Sequence, residues 1–119
     1  LVLMDTPGYD IESVVGKVAG GAQVIAFTTG RGSTTGNPIA PVIKVTGNPE
    51  TAELLSSNMD IDVSTVLDGE PIASVGDRVY DLLLNVASGQ RTAAERRRLE
   101  EFAINELQPN ELAQLTENA

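Results

Sequence analysis

The chain combines short apolar runs with longer stretches in which apolar positions recur every three or four residues. A continuous apolar run predicts a buried strand, and strict alternation of apolar and polar positions predicts a half-exposed one. The predicted strands are Leu1–Met4, Gln23–Thr28, Ile39–Thr46 and, with apolar and acidic residues alternating, Met59–Val63.

Helical spacing and capping residues predict four helices between and after these strands. The predicted helices are Ile11–Ala19 with Asp10 as its cap, Pro49–Ser57 with Asn48 as its cap, a longer one from Pro71 to Gly89, and a last one from the capping box Thr92-Ala93-Ala94-Glu95 to about Asn105. The last helix would carry an apolar stripe of Leu99, Phe102 and Ala103.

A strand, a helix and a second strand in this order predict a βαβ unit with parallel strands. We therefore expect an α/β fold: a small, three-layer, mostly parallel sheet with helices on both faces, of Rossmann-like type. The α/β domain is predicted to span 1–107, followed by a polar tail over 108–119. The short apolar start suggests a piece of a longer chain.

Charge and the missing residue types exclude several functions. With 17 acidic and 8 basic residues, the net charge of −9 argues against a nucleic-acid surface, and Arg96-Arg97-Arg98 is interpreted as the charged side of a helix. The chain has no cysteine and no histidine, so acid–base chemistry would fall to carboxylates, lysines or tyrosines. No membrane span or signal peptide is predicted, and we expect a cytoplasmic protein without a nucleic-acid or membrane partner.

The stretch from Phe27 to Pro38 is the strongest candidate site, and we call it the cradle. It follows a strand and contains three glycines, four threonines, one serine and one arginine. Glycine lets backbone amides approach a ligand, and the guanidinium of Arg31 fits a carboxylate or phosphate. The cradle lacks the spacing of a P-loop or a dinucleotide fingerprint, and a flexible surface loop is the alternative.

Three other groups of residues are weaker candidates. Asp5 is predicted at a strand end, where catalytic or metal-binding carboxylates are often displayed. Lys44 is either a point charge for a substrate carboxylate or an edge-strand lysine that faces water. Asp60 and Asp62 share one face of their strand and would form either a cation site or, as we favour, a solvated acidic face. The loops Asp5–Asp10 and Thr28–Pro38 are expected to meet at the carboxyl ends of the strands.

Several motifs together resemble the altronate/galactarate dehydratase family, over the chain from its first residue to about Ile104. They are Met4-Asp5-Thr6-Pro7-Gly8-Tyr9-Asp10, Phe27-Thr28-Thr29-Gly30-Arg31-Gly32, Pro41-Val42-Ile43-Lys44-Val45-Thr46-Gly47-Asn48-Pro49, Asn58-Met59-Asp60-Ile61-Asp62 and Val86-Ala87-Ser88-Gly89. The chain resembles the carboxyl-terminal part of these enzymes, which are several times longer.

The resemblance implies a hydro-lyase that removes water from a hexonic or hexaric sugar acid and gives a 2-keto-3-deoxy product. A base would take the proton α to the carboxylate, and a divalent metal, Fe²⁺ or Mn²⁺, would stabilise the resulting enediolate. We expect substrate contacts from Thr28, Thr29, Gly30, Arg31, Gly32 and Lys44, and a catalytic contact from Asp5. The base and most metal ligands would lie outside this chain, which would then be inactive alone.

The last predicted helix departs from the family pattern. Members commonly carry a glycine before the segment that corresponds to Glu101-Phe102-Ala103-Ile104, whereas this chain has Arg96-Arg97-Arg98 there. The departure favours an unbroken helix.

Three alternatives to a dehydratase domain remain open at this point. The related sulfolactate sulfo-lyases eliminate sulfite, and an arginine-and-amide cradle suits a sulfonate as well as a carboxylate. The chain would otherwise be a module that binds a sugar acid without chemistry, or a dimerisation domain that pairs through its two late helices.

Overall fold

The computed structural model of the chain describes residues 2–103. Three strands, four α-helices and one 3₁₀ helix follow one another in these residues. In chain order they are α1 (Asp10–Ala19), β1 (Ile25–Thr28), β2 (Val42–Thr46), α2 (Pro49–Leu54), β3 (Ile61–Asp62), the 3₁₀ helix (Ser64–Asp68), α3 (Ile72–Ala87) and α4 (Ala93–Arg97).

The described strands form one parallel sheet in the order β1-β2-β3. Ile25 of β1 lies opposite Val42 of β2, and Val45 of β2 lies opposite Ile61 of β3. The strand–helix–strand unit is β2-α2-β3. The connection from β1 to β2 spans residues 29–41 and contains neither helix nor strand.

Successive side chains of β2 point to opposite faces of the sheet, and each face is covered by a helix. Val42 packs with Val14 of α1 in one apolar cluster. Ile43 and Val45 pack with Val86 of α3 in the other. The predicted small α/β fold with a parallel sheet and helices on both faces is therefore confirmed.

The predicted strand at Leu1–Met4 is wrong over the described residues. Residues 2–7 have no regular structure, and Val2 and Leu3 are 89% and 91% exposed. Met4 lies beside the end of α1, since a Cβ added at Gly20 would be 3.0 Å from its sulfur. An apolar run becomes a strand only when a neighbouring strand takes its backbone hydrogen bonds, and residues 2–7 pair with no described strand. The predicted βαβ unit that included this strand is wrong with it.

The predicted cap of the first helix is also wrong. Helix α1 begins at Asp10, and Tyr9 precedes it without a capping side chain. Asp10 is thus the first helical residue, where a negative charge stabilises the positive end of the helix dipole. Its carboxylate is used elsewhere, because Oδ2 accepts a 2.6 Å hydrogen bond from the Ser33 hydroxyl.

The helices around the second half of the sheet begin where the cap of α2 and the apolar spacing of α3 predict. Asn48 caps α2 by accepting a 3.0 Å hydrogen bond from the amide of Glu50. Helix α3 follows Pro71 and buries Val75 and Val86. No helix within residues 2–103 is long and apolar enough to cross a membrane.

Helix α4 is much shorter than predicted. The capping box of Thr92 and Glu95 is present, but the helix ends at Arg97, and Arg98 adopts a left-handed φ of 56°. The amides of Arg98 and Leu99 bond back to the carbonyls of Glu95 and Ala94, which closes the helix as a Schellman motif does. The expected unbroken helix to Asn105 is therefore wrong as far as the described residues reach. Arginine takes the left-handed position here, although glycine is the usual residue.

Two predictions for the end of the chain remain, the apolar stripe of the last helix and the polar tail, and only the first falls within the described residues. Leu99, Phe102 and Ala103 lie beyond α4 and form no helical stripe, and Phe102 is 56% exposed. The polar tail at 108–119 lies outside the described residues.

Candidate substrate-binding loop

The cradle leaves the carboxyl end of β1 and, because β1 and β2 are parallel, must return along the sheet to the amino end of β2. It starts beside the carboxyl end of β2, where the Thr29 amide donates a 2.9 Å hydrogen bond to the carbonyl of Val45. An open cavity of about 380 Å³ lies at this edge of the sheet. It is lined by Thr28, Thr29, Gly30, Val45, Gly47, Asn48 and Val63.

Two carbonyl groups of the cradle are each held by two side chains from the body of the domain. The Gly30 carbonyl accepts hydrogen bonds from Asn48 Nδ2 (2.9 Å) and from Thr51 Oγ1 (2.8 Å). The Ser33 carbonyl accepts hydrogen bonds from Lys44 Nζ (3.0 Å) and from Asn58 Nδ2 (2.8 Å). These four donors draw both carbonyls toward the protein.

The same bonds orient the neighbouring amides. In a planar trans peptide the C=O and the following N–H point in opposite directions. With the carbonyls of Gly30 and Ser33 turned inward, the N–H groups of Arg31 and Thr34 point outward, and both residues are exposed. Within residues 2–103, the amides of 30–34 donate no hydrogen bond. These donors are available to an oxyanion.

Arg31 adds charge to this row of amides. Its side chain forms no hydrogen bond and no salt bridge with any other residue of the described part of the chain. A guanidinium offers a planar fork that binds a carboxylate through two parallel hydrogen bonds. The exposed side of the cradle therefore presents neutral and charged donors on one short segment.

Gly32 makes the turn between the two held carbonyls possible. Its φ is +86°, and a Cβ at this position would lie 2.2 Å from Leu55 Cδ1. A side chain would be strained by the backbone conformation and would also collide with α2's carboxyl-terminal flank.

Lys44 lies beneath the cradle. It belongs to the central strand and its side chain is fully buried, so the interpretation as an edge lysine that faces water is wrong. Besides Ser33, its ammonium donates to Asn58 Oδ1 at 2.6 Å. Burial lowers the pKa of Lys44 below its usual value, and the charge of Asp60 opposes this shift. A direct contact with substrate stays a prediction.

The two loops that were expected to meet are joined by the hydrogen bond between Ser33 and Asp10. A groove of about 400 Å³ lies between them and is lined by Tyr9, Asp10, Ser33 and Thr34, among others. Asp5 is exposed and forms no hydrogen bond or salt bridge with another described residue. Its catalytic role also stays a prediction.

Comparison with known proteins identifies the family. The model of the D-galactarate/altronate dehydratase carboxyl-terminal family matches residues 1–110. The chain belongs to this family. The resemblance seen in the cradle and strand motifs is thereby confirmed.

The similar relatives include both dehydratases and a sulfo-lyase. The chain is 39% identical over 108 residues to the (2R)-sulfolactate sulfo-lyase subunit beta of Chromohalobacter salexigens, a match that covers 90% of this chain and 28% of that protein. It is 38% identical over 92 residues to the galactarate dehydratase (L-threo-forming) of Escherichia coli, covering 76% and 18%. The altronate dehydratase of Escherichia coli is 28% identical over 104 residues, covering 87% and 21%. The chain thus spans less than a third of each of these relatives.

The described residues of this dehydratase-family domain do not form a metal site. No group of three or more acidic residues lies close enough to hold an ion within residues 2–103. The carboxylate of Asp60 is only 4% exposed, and it accepts hydrogen bonds from the amides of Lys44 (2.8 Å) and Ala93 (2.6 Å). Asp62 accepts one from the amide of Ser64.

Both interpretations of Asp60 as an exposed or metal-binding carboxylate are therefore wrong. It connects β2 to the start of α4, and its only ion pair with a described residue is a 3.9 Å contact to Arg96.

Sequence reasoning missed the residues that hold the cradle. Asn48 was recognised as a helix cap, but its amide nitrogen also holds Gly30. Thr51 and Asn58 carried no separate signal, because they lie 21 and 25 residues from the carbonyls that they bind. The adjacent pair Asn48-Pro49 did place the start of α2 correctly, and that helix start brings Asn48 and Thr51 to the cradle.

Proposed function

We propose that the chain is the substrate-holding part of a lyase that dehydrates a sugar acid of the altronate or galactarate type. Membership of the dehydratase carboxyl-terminal family supports the reaction class. The relatives named as dehydratases of galactarate and altronate support the substrate class.

The orientation of the cradle carries this proposal. A sugar acid presents a carboxylate and several hydroxyls. The outward amides of Arg31 and Thr34 and the guanidinium of Arg31 bind the carboxylate, and Thr28 and Thr29 at the sheet edge contact hydroxyls. The backbone of Gly30 and Gly32 allows the ligand to approach closely, and Lys44 supports the loop from below. Because the loop is held by four side chains, little further ordering is needed on binding.

The chemistry itself is assigned to groups outside this chain. Dehydration removes the proton α to the carboxylate and expels the β-hydroxyl, which needs a base and an acid. The chain has no histidine or cysteine. A divalent Fe²⁺ or Mn²⁺ would equally be held by residues elsewhere in a longer enzyme, with Asp5 supplying at most one contact. The isolated chain is then inactive, and the location of the whole enzyme is proposed to be cytoplasmic.

A second candidate is a carbon–sulfur lyase domain. The match to the sulfolactate sulfo-lyase subunit covers more of this chain than the match to galactarate dehydratase does. By its name, that relative is one subunit of an enzyme that acts on (2R)-sulfolactate. The donors of the cradle accept a sulfonate as well as a carboxylate, because both present oxygens with delocalised negative charge.

Calorimetric titration of the chain with galactarate, altronate and (2R)-sulfolactate tests the proposal. We expect the chain to bind at least one of these acids weakly. Tighter binding of a sugar acid or of sulfolactate then distinguishes the dehydratase from the carbon–sulfur lyase. Arg31→Ala should weaken the binding about tenfold or more, because a hydrogen bond to a charged group contributes about 1.5–3 kcal/mol. Arg91→Ala is the matched control, since Arg91 is also exposed but lies just before α4. Equal losses in both variants, or no binding of any of the three acids, would contradict the proposal.

A separate experiment tests whether the catalytic groups lie outside this chain. The chain, mixed with galactarate or altronate and with Fe²⁺ or Mn²⁺, should form no 2-keto-3-deoxy product in a coupled assay. Product formation by the chain alone would refute the assignment of the base to another part of the enzyme, while leaving the binding role of the cradle intact.

A further inference from the structure

Helix α3 has more apolar surface than its contact with the sheet uses. At 100° per residue, Val75, Val79, Leu82 and Val86 lie on one side of the helix, and the two buried members, Val75 and Val86, belong to this side. A second, adjacent arc carries no charged residue. We call it the outer face of α3, and it consists of Ile72, Gly76, Tyr80, Leu84 and Ala87, all exposed. Leu83 lies between this face and the buried side and packs against the apolar cluster of Ile43, Val45 and Val86.

The outer face is largely open to solvent. Ile72 is 77% exposed, Tyr80 is 61% exposed and Leu84 is 45% exposed. A row of this length runs along all of α3, whereas isolated exposed apolar residues are common on any surface. The exposure of the whole row indicates a surface that a partner covers.

The border of the outer face specifies the charge of that partner. Beyond Leu84 the next positions around the helix are Asp77 and Asp81, both exposed. A second copy packed on this face would bring its own pair of carboxylates toward these two, and like charges repel. The net charge of −9 on each chain adds to this repulsion. The segment 104–119 has Glu106, Glu111 and Glu117 and no lysine or arginine. Neither complements the acidic border.

The length of the relatives indicates where a complementary partner comes from. The matched segment is only 28% of the sulfo-lyase subunit and 18% of the galactarate dehydratase. Most of each relative therefore lies outside the segment that this chain matches, and a carboxyl-terminal domain of a longer enzyme needs a surface that packs against the rest of it.

We propose that the outer face of α3 docks an amphipathic helix with an apolar face and a basic flank, supplied by the remaining part of a longer enzyme. The apolar face covers Tyr80 and Leu84, and the basic flank lies beside Asp77 and Asp81. This interface is independent of the cradle and of the ligand that the cradle binds.

Two synthetic helical peptides test the proposal with the full 119-residue chain. Both carry leucine along one face, and their flanks carry either lysine or glutamate. We expect the lysine-flanked peptide to bind, measured by fluorescence anisotropy, and the glutamate-flanked one to bind at least about tenfold more weakly. Leu84→Lys should weaken the first peptide by about tenfold or more, because it removes a buried leucine contact. Gln90→Lys, an exposed position beyond the end of α3 and away from Asp77 and Asp81, should leave it unchanged.

The charge of the border gives a second readout. Reversal of both acids, Asp77→Lys with Asp81→Lys, should transfer the preference to the glutamate-flanked peptide. Equal affinity for both peptides, or binding of neither, would overturn the proposal. A concentration-dependent dimer in sedimentation that disappears with Leu84→Lys would also overturn it, by making a second copy the occupant.

Discussion

The cradle and the segment 2–9 were both expected to contribute to one site, yet the two are held differently. The segment 2–9 contacts α1 through side chains, with the Thr6 hydroxyl 3.1 Å from that of Ser13, whereas the cradle is held by its backbone. Its carbonyls at Gly30 and Ser33 are each bound by two side chains from other elements. The segment 2–9 contains an exposed Asp5 and the apolar residues Val2 and Leu3, which are about nine-tenths exposed. The difference teaches that a ligand loop here is ordered by hydrogen bonds to its own carbonyls and not by the apolar character of its flanks.

The largest difference between the two regions should appear in the free energy of unfolding when one glycine of each region is replaced by alanine. A Cβ at Gly36 would lie 1.9 Å from the carbonyl oxygen of Leu99, whereas nothing lies within 4 Å of one at Gly8. Backbone cannot move aside as a side chain can, so Gly36→Ala should lower the free energy of unfolding by about 3 kcal/mol. Gly8→Ala should change it by less than about 0.5 kcal/mol. Urea unfolding measures both, and equal effects would contradict the contrast.

A smaller effect should come from the buried ammonium beneath the cradle, which has no counterpart in segment 2–9. Burial lowers the pKa of Lys44 in the folded state, so between that pKa and the usual value of 10.5 the unfolded chain binds more protons than the folded one. The contribution of Lys44 to the free energy of unfolding should then rise with pH through this interval.

The measurement is the difference in unfolding free energy between the wild type and Lys44→Met, at a series of pH values up to 10.5. Subtraction of the variant removes the titration of the other lysines and the tyrosines. A difference that falls with rising pH would show that the charged form is the one that the folded protein stabilises.

The smallest effect concerns the side-chain bond between the cradle and Asp10, the first residue of α1, which directly follows segment 2–9. Ser33 donates to Asp10 at 2.6 Å. A double-mutant cycle of Ser33→Ala and Asp10→Ala should give a coupling of about 0.5–1 kcal/mol, the usual net contribution of one hydrogen bond. The cycle of Ser33→Ala with Asp5→Ala is the control and should give none. A coupling of the same size in both cycles would mean that the coupling does not come from the hydrogen bond between Ser33 and Asp10.

The sequence was informative where the signal is local. The cap at Asn48, the capping box at Thr92 and Glu95, and the apolar spacing of α3 each predicted a helix start that the structure has. Local patterns failed to predict the structure where it depends on residues that are distant in the chain or on an unusual backbone conformation. The run Leu1–Met4 has the composition of a strand, but its described residues pair with no neighbouring strand. The end of α4 depends on one left-handed residue, Arg98, of a type that rarely adopts that conformation.

The candidate site was predictable in its position but not in its construction. The glycines and hydroxyls of the cradle identified it as a candidate ligand loop. The order of the predicted elements placed this loop at the carboxyl ends of the strands. The donors to its carbonyls come from β2, from α2 and from the turn at Asn58, between 11 and 25 residues away in the chain. No periodicity or spacing encodes such pairings. The buried state of Lys44 likewise follows from its place in the central strand, which only the sheet order reveals.

The most direct test of the account is an amide-resolved NMR titration of the chain with galactarate. The central claim is that inward carbonyls at Gly30 and Ser33 leave the amides of Arg31 and Thr34 to bind an oxyanion. We expect these two amide resonances to shift most, with saturation, while the amides of Asp5 and Thr6 stay in place. Shifts centred on Asp5 and Thr6, or none in the cradle at saturating ligand, would contradict it.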